Sequence, residues 1–281
     1  MRSMTTPAVT VAVPTRARPE ALGRCLRALE AQTIAPELEL LVICDGDEHL
    51  ATIEEVVKGS PGVRLLRQEQ AGPGQARNLA AAEAHAPILC CTDDDCEPRP
   101  DWAERLAAAI EGGADAAVGH TVNGEPGSAI ATASQLVVNH LEERSLRDGR
   151  IFGASNNFGC RTEVLRRVPF DPRYRFGGGD RDWCVRVAAT GHELVYESQA
   201  VVVHRQLLTL ASFWRQQLAY GRGAYRFRRR QGSPLRLERP GYYASLAVRA
   251  AADGPEVALL VVLAQAATAV GFVGEAARVS R

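Results

Sequence analysis

The sequence has no surplus of charge: Lys plus Arg and Asp plus Glu both total 33. A molecule-wide field that would draw in nucleic acid or an anionic surface is therefore excluded. The seven cysteines form no CxxC pair and have no histidine partners at zinc spacing, and their odd number does not suit a disulfide framework. Most sit in apolar runs such as Ile88–Cys91, where a thiol behaves as a small buried hydrophobe. The expectation is reduced thiols and a cytoplasmic protein. No stretch near the N-terminus is long and apolar enough for a signal peptide, and no internal repeat or low-complexity segment occurs. The one long apolar run, residues 257–273, contains a single Gln and falls short of the ~20 residues that cross a bilayer comfortably. A buried or interfacial helix is expected there ahead of a span.

What is present suits one large domain with a smaller appendage: 281 residues, 46% hydrophobic and 23% charged. Short β-branched runs alternate with helix-period segments through the first two thirds, the pattern of strands joined by crossover helices in an α/β fold with a mostly parallel sheet. Strands are expected at residues 9–13, 38–44, 63–66, 87–92 and 114–119. Pro19 opens a helix whose Leu22, Cys25, Leu26 and Leu29 share one face. Further helices are expected near 51–58, 76–84 and 102–110. Residues 1–206 are read as this domain. Residues 207–281 are read as a helical extension, first basic and aromatic, then apolar. Nine arginines stand against one acid, Glu238, between Arg205 and Arg239. This leaves about −8 on the rest of the chain, so the basic character is local. Phe213, Trp214, Tyr220, Tyr225 and Phe227 interleave with those arginines, which suits either a solvated helix face or an interfacial one.

Ligands of parallel sheets bind outside the carboxyl ends of the strands, and polar residues recur there: Pro14-Thr15-Arg16, Asp45-Gly46-Asp47 and Asp93-Asp94-Asp95. Three adjoining carboxylates raise one another's pKa unless a cation neutralises them. If strand geometry persists, Asp93 and Asp95 project to one side and Asp94 to the other, so the outer pair can share a dication such as Mg2+ or Mn2+. A solvated acidic turn or a helix cap is the alternative; an EF-hand is excluded by the missing Gly and Glu of that loop. Gly72-Pro-Gly-Gln-Ala-Arg77 precedes a helix and suits anion binding or a simple turn. Phe176-Gly-Gly-Gly-Asp180-Arg-Asp182-Trp183 suits a loop that orders around a substrate, or plain N-capping by Asp180. His204 ends an apolar strand, where it is either structural or a ligand.

Taken in order, Val11-Ala-Val-Pro-Thr-Arg, Val42-Ile-Cys-Asp-Gly-Asp, Gly72-Pro-Gly-Gln-Ala-Arg-Asn, Thr92-Asp-Asp-Asp-Cys-Glu-Pro, Gly153-Ala-Ser-Asn-Asn-Phe, Gly178-Gly-Asp-Arg-Asp-Trp and Val203-His204 resemble the motif series of family 2 glycosyltransferases with the GT-A fold. The resemblance spans about residues 9 to 205. It implies a nucleotide-diphosphate-sugar donor, a UDP-sugar in the commoner case, bound with Mn2+ or Mg2+, and transfer with inversion to a hydroxyl on a sugar, a lipid-linked or another acceptor. By the same resemblance Pro14, Thr15, Arg16 and Asp45 hold the nucleoside and Arg77 faces the nucleotide or its diphosphate. Asp93 and Asp94 belong to the donor site, Asp95 is the direct metal ligand, and His204 approaches the metal. Asp180 is implied as the general base, with Asn156, Asn157, Asp182 and Trp183 on the acceptor side. Two positions depart from the pattern: Cys44 replaces the first of two acids, and Gly179 replaces the Glu that commonly precedes the base. The second departure motivates an alternative, a catalytically silent nucleotide-sugar sensor or scaffold. A sugar nucleotidyltransferase on a similar sheet is a third reading. The basic and apolar C-terminal region suggests peripheral contact with the inner face of the membrane; no nucleic-acid partner is expected.

Overall fold

The computed structural model describes residues 7–46, 48–175, 177–233 and 238–279. Asp47, Phe176 and Arg236, which belong to the sequence patterns above, lie outside the described residues. In chain order the elements are β1 (Val9–Thr15), α1 (Pro19–Glu30), β2 (Leu38–Asp45), α2 (Leu50–Lys58), β3 (Val63–Gln68), α3 (Pro73–Glu83), β4 (Ile88–Thr92), β5 (Cys96–Pro98), α4 (Trp102–Glu111), β6 (Ala116–Asn123), α5 (Ala129–Arg147), β7 (Asn157–Arg161), α6 (Thr162–Arg167), α7 (Gly179–Ala189), β8 (Leu194–His204), α8 (Leu210–Arg230), α9 (Pro240–Ala252) and α10 (Pro255–Val279). They divide into two compact units.

The first unit, built from the described residues up to Val122 with Gly153–Arg175 and Trp183–His204, is an eight-stranded α/β sheet in the order β3-β2-β1-β4-β7-β6-β8-β5. The strands β3, β2, β1 and β4 run parallel, and β4 with β7, β7 with β6 and β8 with β5 pair antiparallel. Strand β1 is buried from end to end, as its run of small and β-branched residues requires when helices cover both faces. The expected face of α1 closes one side: Leu22, Cys25, Leu26 and Leu29 are each fully buried, and each such side chain contributes about 1.5–3 kcal/mol by leaving water. All seven cysteines are free and buried. Strand β5 was not anticipated: three residues with a proline are too short for a period-2 pattern to register. The run expected at 114–119 is consequently the sixth strand, not the fifth.

The second unit takes the described residues of 123–152, 177–182 and 205 onward. Its core joins Ala133 and Leu136 of α5, Phe213 of α8, Tyr242, Leu246 and Ala250 of α9, and Val257, Val261 and Ala264 of α10. Helix starts are specified locally: Ser128 Oγ accepts from Ala131 N at 3.2 Å, and Thr209 and Ser212 form a reciprocal capping box. The apolar run expected to be a buried or interfacial helix lies within α10, which packs by one stripe only.

His140 of α5 is buried in this unit, and its Nε2 lies 3.1 Å from Tyr242 O. A carbonyl only accepts, so the neutral ring carries its proton on Nε2. Its Nδ1 is buried without a hydrogen-bond partner among the described residues. Protonation would place a donor there with no acceptor, and burial accordingly lowers the pKa from its ordinary value of 6.5. A depressed folded-state pKa contributes stability above the unfolded value that is lost as pH falls. The thermal midpoint of the wild type is therefore expected to drop more steeply below pH 6.5 than that of His140→Gln; parallel pH profiles would remove His140 as the cause.

Candidate active site at the strand ends

The parallel strands bring Thr15, Asp45, Gln68 and Thr92 to one rim of the first unit. Strand β1 lies between β2 and β4, so chain order reverses beside β1, the place where open α/β sheets offer a crevice for ligands. Ala17, in the turn after β1, has φ 56°, a left-handed conformation that costs an alanine about 1–2 kcal/mol. The chain accepts that strain immediately before Arg18.

Beyond Thr92 the backbone leaves strand geometry for a turn, so the expected alternation of the three aspartates does not hold. Asp94 and Asp95, not Asp93 and Asp95, share a cationic partner: Arg18 forms ion pairs with both. Thr15 Oγ1 also donates to Asp94 Oδ2 at 2.7 Å. Asp93 pairs instead with Arg77, a guanidinium only 1% exposed whose Nε has no hydrogen-bond partner among the described residues. Burial pushes the Asp94 carboxyl up to about 7 against the pull of Arg18. Burial opposes ionisation of Asp95 as well, yet His204 and Arg18 outweigh it and hold that carboxyl well below the usual carboxylate range.

The short strand β5 explains how His204 arrives. Cys96 lies opposite His204 in the antiparallel β5–β8 pair, which brings His204 Nε2 to 3.4 Å from Asp95 Oδ1. Ligand atoms of Asp95, Cys96 and His204 all lie within 4.8 Å of one another. Burial pushes the Cys96 thiol well above its ordinary pKa, and Asn156 Nδ2 is 3.5 Å from its sulfur. The anionic carboxylate and the imidazole suit a hard or borderline dication such as Mn2+, whereas a neutral thiol does not. The donor set thus fits the implied metal, which Asp95 and His204 would hold.

Several expected site residues are committed to packing instead. Asn157 is 1% exposed; it accepts from Trp102 Nε1 at 2.8 Å and donates to His120 O and Ala200 O, so it pins strands rather than lining an acceptor pocket. Trp183 is likewise buried, stacked at 5.5 Å on Phe170 with its Nε1 donating to Val168 O. Asp45 accepts from Ala71 N and Gly72 N and from Gln68 Nε2, a use of its carboxylate that fixes the turn ahead of α3 and hence of Arg77. Pro14 is buried within β1. Arg16 is half-exposed and pairs with Glu48 at 3.4 Å. Asn156 stays beside the cluster, where Thr121 Oγ1 donates to its Oδ1 at 3.5 Å. Arg18 and Cys96 were not singled out from sequence. The signal for Arg18 was its place in the same strand-end loop as Arg16.

In the second unit, Asp180 lies in the first turn of α7, half-exposed, with Oδ1 accepting from Arg181 N at 2.9 Å. Asp182 is fully buried and ion-paired to Arg230 at 3.3 Å. The glycines before Asp180 are explained by close packing rather than by a loose loop: Gly178 has φ +83°, and a Cβ on it would meet Gly223 O of α8 at 2.9 Å.

Residues 10–169 match the model of the glycosyl transferase family 2. Over 206 residues, 71% of this chain and 67% of its relative, the sequence is 26% identical to the glycosyltransferase AglE of Haloferax volcanii. The mannosyltransferase PcManGT from Pyrobaculum calidifontis, solved in complex with GDP-Man and Mn2+, superposes with a TM-score of 0.63 at 16% identity, over 97% of this chain and 88% of that one. At that identity the likeness is one of fold.

Proposed function

Since the chain belongs to glycosyl transferase family 2, glycosyl transfer is its activity, and we propose that it moves a sugar from a nucleotide-diphosphate donor to an acceptor hydroxyl with inversion, assisted by a divalent metal. The observation that carries this reading is the cluster of Asp93, Asp94, Asp95 and His204 at the ends of the parallel strands, beside Arg18 and Arg77. Asp95 and His204 would hold the dication, which when bound would offset negative charge on the leaving diphosphate. Arg77, anchored by Asp93, supplies positive charge on the diphosphate side of the donor. Thr15, Arg16 and Asp93 border the nucleoside, and Asn156 borders the acceptor. Asp180 takes the proton of the acceptor hydroxyl as that oxygen bonds to the anomeric carbon and the bond to the diphosphate breaks. Attack from the face opposite the leaving group inverts that carbon, and without a base the hydroxyl is a poor nucleophile. The buried free thiols accord with a cytoplasmic setting.

The test is an incubation of the protein with UDP- and GDP-linked sugars and a panel of hydroxyl acceptors, in Mn2+ and in EDTA. Release of nucleoside diphosphate that needs both metal and acceptor, with an inverted product anomer by NMR, is expected. Donor binding without turnover on any acceptor would favour the silent sensor. Pyrophosphate release from a nucleoside triphosphate and a sugar phosphate would favour a nucleotidyltransferase.

A further inference from the structure

Helix α10 leaves one apolar face uncovered. Its best 18-residue window has a mean hydropathy of 2.2, yet only 33% of that window is buried. The packed stripe is Val257, Val261, Ala264, Ala267, Gly271 and Glu275. The opposite stripe exposes Leu259 at 70%, Val262 at 66%, Val270 at 56% and Val273 at 65%. Helix α8 runs beside it in the same direction: Thr268 Oγ1 donates to Gln217 O at 3.4 Å, and further along Arg226 pairs with Glu275 at 2.8 Å. A Cβ on Gly221 would meet Thr268 O at 2.0 Å, so these two backbones approach closely. Trp214 and Arg215 of α8 line an open apolar trough of about 750 Å3 with Leu210, Ala211 and Leu263, at the edge of the uncovered stripe.

Along α8 the arginines fall into two sets. Arg226, Arg228 and Arg230 are neutralised by Glu275, Glu238 and Asp182. Arg215, Arg222 and Arg229 recur every seven residues, share one helix face, are exposed, and have no ion-pair partner among the described residues.

We propose that this face of α8 and α10 docks the protein on an anionic lipid bilayer, with α10 lying in the interface rather than crossing it. An apolar stripe flanked by a tryptophan and a row of unneutralised arginines complements acyl chains beneath anionic headgroups. Spanning is disfavoured because the packed stripe of α10 ends at a buried glutamate paired with Arg226, so lipid on all sides would strip that pair and the bundle core. A second copy of the chain is disfavoured because a two-fold contact through this face would bring two arginine rows into one interface.

The full chain is to be sedimented with vesicles of phosphatidylcholine alone or with 30 mol% phosphatidylglycerol, at low and high salt. Binding to the anionic vesicles that weakens with salt is expected. Replacing Arg215, Arg222 and Arg229 together by Gln should reduce partitioning roughly 100-fold, and Val262→Ser with Val270→Ser should reduce it on both vesicle types. All five positions are exposed, and circular dichroism checks that each variant stays folded. No binding to anionic vesicles, or binding that neither set of changes alters, would overturn the proposal. So would retention after alkaline carbonate extraction, which reports a span, or a dimer that Val262→Ser and Val270→Ser dissolve in the absence of lipid association. None of these readouts depends on turnover, so the proposed transfer reaction stands or falls separately.

Discussion

Asp180→Asn is expected to lower turnover by roughly 10²-fold or more, the scale on which a positioned general base acts, while donor affinity stays within about fivefold of wild type. The amide keeps the size of the carboxylate, and its oxygen can still accept from Arg181 N, the bond that Asp180 Oδ1 makes at 2.9 Å. That contact in the first turn of α7 is therefore kept. What is lost is the ability to accept a proton. Nucleoside diphosphate release measured beside donor binding by calorimetry separates the two quantities, and turnover equal to wild type would remove Asp180 from the mechanism. The partner comparison is Asp182→Asn, which disturbs the buried ion pair with Arg230. It should lower the thermal midpoint and leave per-molecule activity at a permissive temperature much closer to wild type.

Asp95→Ala is expected to weaken Mn2+ binding by at least about 10–100-fold, since even partners one bond removed from a metal carry that much affinity. Donor affinity in Mn2+ should then fall to the value that the wild type shows in EDTA. The physical basis is geometric: Asp95 Oδ1 lies 3.4 Å from His204 Nε2, which pairs this carboxylate with the imidazole as one donor set. Cys96→Ser is the informative companion, because a thiol kept neutral by burial gives little to a hard cation. Its replacement should leave Mn2+ affinity little changed. Donor binding that ignores both EDTA and the loss of Asp95 would refute the metal assignment.

Much of the framework was legible because it depends on periodicity. The β-branched run at Val9–Val13, the apolar face Leu22-Cys25-Leu26-Leu29 and the polar residues at the ends of β1, β2 and β4 all follow from local pattern, and the structure places them as that pattern requires. Apart from the long helix α5, the site features that failed to register were short or non-local. Strand β5 has three residues, yet its register with β8 brings His204 to Asp95. Arg18 is one of many arginines in sequence and stands out only because two aspartates, the buried Asp94 and the partly buried Asp95, converge on it. Asn157 and Trp183 carry side-chain types that suit a sugar pocket, but their polar atoms are consumed by Trp102, His120, Ala200 and Val168. No spacing rule reveals that commitment.

By itself, then, the sequence determined the alternation of strand and helix, the family motifs and the clustering of carboxylates after β4, because each is written in residues close together along the chain. The tertiary structure alone decided which cation faces which carboxylate, which polar side chains are spent inside the core, and which face of α10 meets solvent. Those outcomes depend on distances between residues tens to hundreds of positions apart, and ionisation, hydrogen bonding and burial respond to such distances rather than to order along the chain.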